Sequence, residues 1–462
     1  MNARWAGLAV CLLLAVAWTS LNTTGCDPCA SCSSGGGGHR PTATPTPAPS
    51  SATGQGLIAI DTVHNVGYVP IYTLTGGGVP AREGSTPAVS VPGSSQLAVV
   101  DLTIGAANPV IKLLELSSAV EPTGGAFNEE NGRVYEEGRL ADGTVNVYEI
   151  DTTAQTIINT IPCPGITNEA RFGGVVADPV RNLLVVAGSS TIGLMNTAVE
   201  PPVFNAASVV TVAGTDSLSL NPTTGTLFVS TDGTNQILNI ATLPLVPLSF
   251  ESTGATTDGV GFDATTNILL QSDEVGEDHG TAFNFGTLDT SVTPATALSI
   301  GFNGLGVLEP TGEGPGGQTV VNEATHQGVI SDEFGQNLKL IHMPATTVAG
   351  ALDNNGQPGS GTNPDAASVF TICATLIPKG DVSGTPTQLG SVGDPNSLSI
   401  DVKNNLAYML ADTLPFFHAW ANDHDPQPPL FLVRIDLSAP VLGGSPTGTT
   451  QWNPVSAAIP MP

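Results

Sequence analysis

Residues 145–188 read VNVYEIDTTAQTIINTIPCPGITNEARFGGVVADPVRNLLVVAG. Within this stretch the apolar segment GGVVAD runs into Asp178, the chain turns through four residues to Asn182, and a second apolar segment follows at once. The same sequence of events occurs at GLIAID ending at Asp61, GGAFN at Asn128, DSLSLN at Asn221, DGVGFD at Asp263, GQTVVN at Asn322 and NSLSID at Asp401. Six of the turns carry Asn or Gly, at Asn65, Gly132, Asn182, Gly225, Asn267 and Asn405, whereas the Asn322 copy turns through His326 and Gln327.

Each node has a later apolar partner: LAVVD to Asp101, NVYEID to Asp151, IGLMN to Asn196, ILNIA to Ala241, AFNFG to Gly286, LKLIH to His342 and FLVRID to Asp436. Outer segments such as TIINTI at 156–161, SVVTV at 208–212 and SVFTI at 368–372 complete four short strands per repeat. The nodes are spaced by 67, 50, 43, 42, 59 and 79 residues. A four-stranded propeller blade takes about 40 to 45 residues, so the longer intervals carry insertions. The expected fold is an all-β, seven-bladed β-propeller of four-stranded antiparallel blades over residues 57–462. Closing such blades into a circle leaves no long free edge. An open β-solenoid is the structural rival, but its rungs are shorter and more uniform.

Composition agrees. At 462 residues the chain exceeds the usual single core. Charged residues are 11% and aromatics 5%, with 54 Gly and 37 Pro, too much turn chemistry for a helical protein and too apolar for a disordered one. Twelve Lys and Arg stand against 40 Asp and Glu with no basic run, so a phosphate backbone is repelled and nucleic acid is excluded as a partner.

The amino end is expected to be an export signal over residues 1–25: Arg4, then LAVCLLLAVAW, then a polar stretch to Cys26. Thr23-Thr24-Gly25-Cys26 resembles a bacterial lipobox, whose Cys is lipidated, with Thr23 in place of the usual Leu. Ala15-Val16-Ala17 offers a rival cleavage site that would release a secreted or periplasmic protein. Residues 26–56, with Cys29, Cys32 and then Gly, Ser, Pro and Thr, read as a flexible tether. Stretched, residues 33–55 reach roughly 70 Å. The expected location is the outer membrane or cell surface, with the membrane touched only through the lipid. Cys163 and Cys373 fall in the repeat region, where a bridge and two buried thiols are both open.

The quoted stretch resembles the YVTN-type β-propeller repeat: Ile150, Asp151 and Thr152 match its strand-ending motif, and Gly174, Val175, Ala177, Asp178 and Pro179 match the next. The Tyr-Val-Thr-Asn strand itself is never intact here, with Tyr68-Val69-Pro70 and Phe228-Val229-Ser230 nearest. The resemblance implies a propeller. Proteins with such repeats include surface-layer-like proteins, binding lipoproteins and lactonase-like or lyase-like enzymes, so it leaves function open.

Loops after the second strand and before the first share one face of a propeller. Expected there are Glu136, Glu137, Asp232, Asp273, Glu274, Asp332, Glu333, Asp423 and Asp425, and, before the inner strands, Glu169, Asp216, Asp258 and Asp394. Asp258, Asp273, Glu274, Asp332, Glu333, Asp423 and Asp425 are candidate ligands for Ca²⁺ or another divalent cation, which takes oxygen from several loops. Glu136, Glu137 and Asp232, with the aromatics Phe416, Phe417 and Trp420, are candidate ligand-binding residues. His279 and His424, each beside acids, are candidate general acid/base groups. The alternative is that loop Asp and Asn cap turns and face water.

Two functions follow as expectations. One is an exported, lipid-anchored, monomeric propeller that binds or scaffolds an envelope protein, polysaccharide or small molecule. The other is a metal-dependent hydrolase or lyase acting on a small ester, lactone or cyclic substrate. No Gly-x-Ser-x-Gly, His-Glu-x-x-His, phosphate-binding or dinucleotide motif is present.

Overall fold

The computed structural model describes residues 52–53, 57–73, 95–106, 108–167, 174–231, 235–249, 257–265, 268–273, 280–289, 296–302, 318–331, 338–342, 370–371, 375–376, 387–388, 397–411, 430–438, 441–442, 451–452 and 455–461. Among these, one antiparallel sheet has five strands and six have four, beside two two-stranded hairpins. The protein is an all-β propeller with four-stranded antiparallel blades. In each four- or five-stranded sheet the strand ending at a node is the inner one, in contact with the node strands of its neighbours. The first sheet pairs Ala59–Asp61 with Val66–Thr73, then Ser95–Asp101 and Val110–Glu115. The second runs Ala119–Asn128, Arg133–Leu140, Thr144–Asp151, Thr156–Thr167. The last runs Ser399–Asp401, Leu406–Ala411, Phe431–Asp436, Val455–Pro460.

The node side chain is why each inner strand stops where it does. Asp61 Oδ1 accepts from Val63 N at 2.9 Å and His64 N at 3.0 Å, Asp178 Oδ1 from Val180 N and Arg181 N, and Asn221 Oδ1 from Thr223 N and Thr224 N. Asn128, Asp263, Asn322 and Asp401 do the same, and all seven nodes are buried. These are Asx turns, in which the side chain replaces the backbone acceptors the strand has run out of. Four positions later the backbone adopts positive φ at Asn65, Gly132, Asn182, Gly225, His326 and Asn405. That region admits Asn and Gly most easily, which explains the recurrent turn residues and marks His326 as the exception.

Side chains alternate between the two faces of each sheet and fill the seams between neighbours. Described cores lie at five seams. Ile58, Ile60 and Ile71 of the first sheet pack with Tyr408, Leu410 and Leu432 of the last. Ala59, Tyr68 and Leu97 pack with Val134, Tyr148 and Ile150 of the second sheet. Second and third meet around Val147, Cys163 and Val186, and third and fourth around Val185, Leu194 and Val229. The fourth meets the fifth through Phe228 and Phe262, whose rings stack with centroids 4.6 Å apart. First therefore touches last.

Pairing begins earlier than the expected boundary at 57: Ala52 and Thr53 lie beside Thr73 and Tyr72. The expected third strand ending at Ala241 stops at Asn239, while the one expected to end at Gly286 runs over Gly280–Asp289.

Candidate functional site

Glu136 and Glu137 are not in a loop at the channel mouth. They lie inside the strand Arg133–Leu140, fully buried. The strand runs on because Gly138 and Arg139 still pair with Asn146 and Val145. Being adjacent, the two carboxyls leave opposite faces of the sheet. Glu136 Oε1 accepts from Gly124 N at 3.2 Å, and its Oε2 lies against Gly125, where a Cβ would come within 2.5 Å. Glu137 Oε1 accepts from Thr123 Oγ1 at 3.1 Å, and its Oε2 lies over Gly174 of the third sheet, where a Cβ would come within 2.2 Å. Each acid thus occupies a niche that a glycine on an inner strand leaves open, one niche per seam. The two carboxyls thus face different seams.

Burial pushes the Glu136 carboxyl well above the usual carboxylate range, the Gly124 N–H opposes this, and the nearby Glu137 adds to it. The neutral acid is the form this niche favours. Burial and then Glu137 likewise push up the Cys163 thiol. Cys163 is a free, buried cysteine, which settles its side of the bridge question. Beyond Glu136, the Arg139 guanidinium meets the Glu121 carboxylate near the end of the same strand.

The opposite end of the inner strands carries a second set of polar groups, absent from the expected site. The remaining oxygen of a node Asp is held by a side chain: Asp61 Oδ2 by His64 Nδ1 at 2.6 Å, Asp178 Oδ2 by Arg181 Nη1 at 2.8 Å, and Asp401 Oδ2 by Asn404 Nδ2 at 2.7 Å. The sequence signal was present, since each partner stands three residues after its node. Asp263 differs, taking His326 Nδ1 of the next sheet at 2.7 Å. Glu323 sits half-buried nearby, its carboxyl pushed up first by burial and then by Asp263.

These turns also bind neighbours together. Thr62 Oγ1 donates to Glu129 Oε1 at 3.3 Å, Asn128 Nδ2 to Thr197 Oγ1 at 3.3 Å, Arg181 Nη1 to Pro222 O at 2.8 Å, Asn322 Nδ2 to Asn405 Oδ1 at 2.7 Å, and Lys403 Nζ to Thr62 O at 3.3 Å. An imidazole paired with a buried Asp resembles half of a catalytic triad. Here Arg181 and Asn404 fill the same position as His64, which makes His64 a turn brace.

Asp216 and Asp258, expected just before inner strands, lie within them, in Thr215–Asn221 and Thr257–Asp263, and Asp216 is buried. Asp273 is the last residue of Ile268–Asp273, and His342 the last of Leu338–His342. Among the described residues no three His, Cys, Asp or Glu side chains are placed to share a metal ion. The candidates His279, His424, Phe416, Phe417, Trp420, Asp232, Glu274, Asp332, Glu333, Asp423 and Asp425, together with Cys26, Glu169, Cys373 and Asp394, lie outside the described residues.

No family model matches the chain, and no curated protein does. Among solved structures it is similar to a chain of the mitotic checkpoint complex, at 10% identity and TM-score 0.47 over 86% of this chain and 96% of that one. It is similar to the β-propeller domain of Cps50 (Swd1) from Myceliophteria thermophila, at 10% identity and TM-score 0.44 over 74% and 87%. A third is a functionally unknown protein from Desulfotomaculum acetoxidans, at 15% identity and TM-score 0.42 over 69% and 88%. The fold and the site rest on the chain's own strand pairing.

Proposed function

We propose that this chain is an exported, lipid-anchored propeller of seven blades that serves binding or scaffolding at the cell envelope, with a YVTN-type repeat as its building unit. The supporting observation is the use to which its described acids and histidines are put. Node Asp and Asn close turns, His64 and His326 brace them, and Glu136 and Glu137 fill niches at glycines. Groups so consumed hold a ring together. The seven-blade count is supported by the one-to-one match of nodes to inner strands and by the packing of first sheet on last. Export and anchoring are supported by Arg4, the run LAVCLLLAVAW and Cys26. Partner contact falls to the insertions at 74–94, 344–367 and 412–429, the last carrying Phe416, Phe417 and Trp420.

The test has two arms. Lipid labelling in the native cell, compared with Cys26→Ala, is expected to be lost in the variant. Elemental analysis of purified protein, with a screen on lactones and cyclic esters, is expected to return no stoichiometric metal and no turnover. Stoichiometric metal with turnover would overturn the binding reading in favour of metal-assisted hydrolysis or elimination.

A further inference from the structure

We propose that Ala52, Thr53 and residues 57–62 act as a clasp that ties the first, second and last sheets together and so governs whether the ring stays shut. The proposal stands on contacts in three directions from consecutive residues. Ala52 and Thr53 pair with Thr73 and Tyr72, and Ala59–Asp61 pairs with Val66–Tyr68, so both ends of the segment lie on one strand of the first sheet. Between them, Leu57 forms a parallel bridge with Gly124 of the second sheet, and its carbonyl accepts from Gly125 N at 2.9 Å. The next residue turns the other way: Ile58 N donates to Ser399 Oγ of the last sheet at 2.9 Å.

Side chains follow the same division. Ile58 and Ile60 are buried in the seam with the last sheet. Ala59, between them, packs into the seam with the second, its Cβ only 3.0 Å from where a Cβ on Gly125 would stand. Period-two alternation therefore drives one strand as a wedge into two seams. At the turn that follows, Thr62 gives its carbonyl to Lys403 of the last sheet and its hydroxyl to Glu129 of the second.

Among the described residues no strand is exchanged between the first sheet and the last. The first is built wholly from residues 52–115 and the last from 399–460. Without a shared strand, closure depends on side-chain packing and on these few hydrogen bonds, of which Ile58 and Thr62 supply partners. Tension or cleavage on the tether side would load this closing seam before any other.

The experiment is residue-resolved amide exchange on the purified full chain. Ser399→Ala removes the acceptor of Ile58 N without touching the second sheet. It is expected to speed exchange at Ile58 by about fivefold to tenfold, as for one lost hydrogen bond, and to speed Gly125 as well, although that amide keeps its own acceptor. Ala52→Pro with Thr53→Pro, which removes the donors at the start of the segment, is expected to speed Ile58 and Gly125 together and leave Val185 in the third sheet unchanged. Ser397→Ala is the control: Ser397 Oγ accepts from Leu410 N within the last sheet, at 2.9 Å, so only Leu410 should respond. Exchange at Ile58 rising while Gly125 stays fixed means independent contacts and overturns the clasp. Should the double-proline chain fail to fold, Ser399→Ala decides alone. The readout requires neither export nor a binding partner, so its failure is separable from failure of the proposed function.

Discussion

His326 Nδ1 stands 2.7 Å from Asp263 Oδ2, joining a turn of one sheet to the end of the inner strand of its neighbour. The Asp side chain is fully buried, and the imidazole is 21% exposed. The comparable pair Asp61–His64 is internal to a single turn, with its imidazole 44% exposed. His326→Ala is therefore expected to cost about 1.5 to 3 kcal/mol, as for a buried bond to a carboxylate, and His64→Ala under about 1 kcal/mol. Urea unfolding of both variants checks this, and equal losses would show that crossing a seam adds nothing.

Asp178 holds two backbone amides and the Arg181 guanidinium. Asp178→Ala removes all three contacts and is expected to destabilise by about 1 to 3 kcal/mol. Asp178→Asn keeps the Oδ1 acceptor, as the natural Asn nodes do, and should lose less than half as much. The unfolding midpoints of the two variants make the comparison.

Gly125 and Gly174 are required by acids on other strands. Gly125→Ala places a methyl 2.5 Å from Glu136 Oε2, and Gly174→Ala one 2.2 Å from Glu137 Oε2. Each is expected to cost about 1 to 3 kcal/mol by overpacking. Gly125→Ala combined with Glu136→Ala should recover part of the loss, giving a coupling of about 0.5 kcal/mol or more in a double-mutant cycle. Strict additivity would remove the niche from the explanation.

The Glu136 carboxyl has a folded-state pKa raised above its ordinary 4.5. Above that pH the unfolded chain gives up the proton while the folded chain keeps it, so the unfolded state binds fewer protons and stability falls as pH rises. The contribution is fully present below about pH 4.5 and is lost as pH climbs through the raised value. Glu136→Gln, a neutral isostere, is expected to flatten this part of the pH dependence. Denaturation midpoints from about pH 4.5 to about pH 8 compare the two chains; identical slopes would leave Glu136 without a titrating role.

Inner strands and their turns were legible in the sequence because their determinants are local. A node Asp or Asn caps the residues beside it, and the left-handed position falls four residues on. Outer strands were harder to read: Leu248–Ser249 and Phe370–Thr371 are two residues long, too short to show alternation. Glu136 and Glu137 lie in a strand rather than a loop for a different reason. Two consecutive glutamates look like loop on local polarity, and what admits them to a strand is Gly125 and Gly174, the latter contributed by the next sheet. The Asp263–His326 brace spans 63 residues and leaves no spacing to recognise.

The contiguity of each sheet along the chain has a consequence for how the molecule can be lengthened. Because each described four- or five-stranded sheet is drawn from its own stretch of sequence, the last one interrupted by the pair Val441–Leu442 and Gln451–Trp452, duplicating or deleting a whole stretch at the genetic level re-pairs no existing strand. Only the two contact surfaces flanking the change must be re-matched. That leaves circumference as the quantity open to variation, while the internal wiring of each unit is conserved.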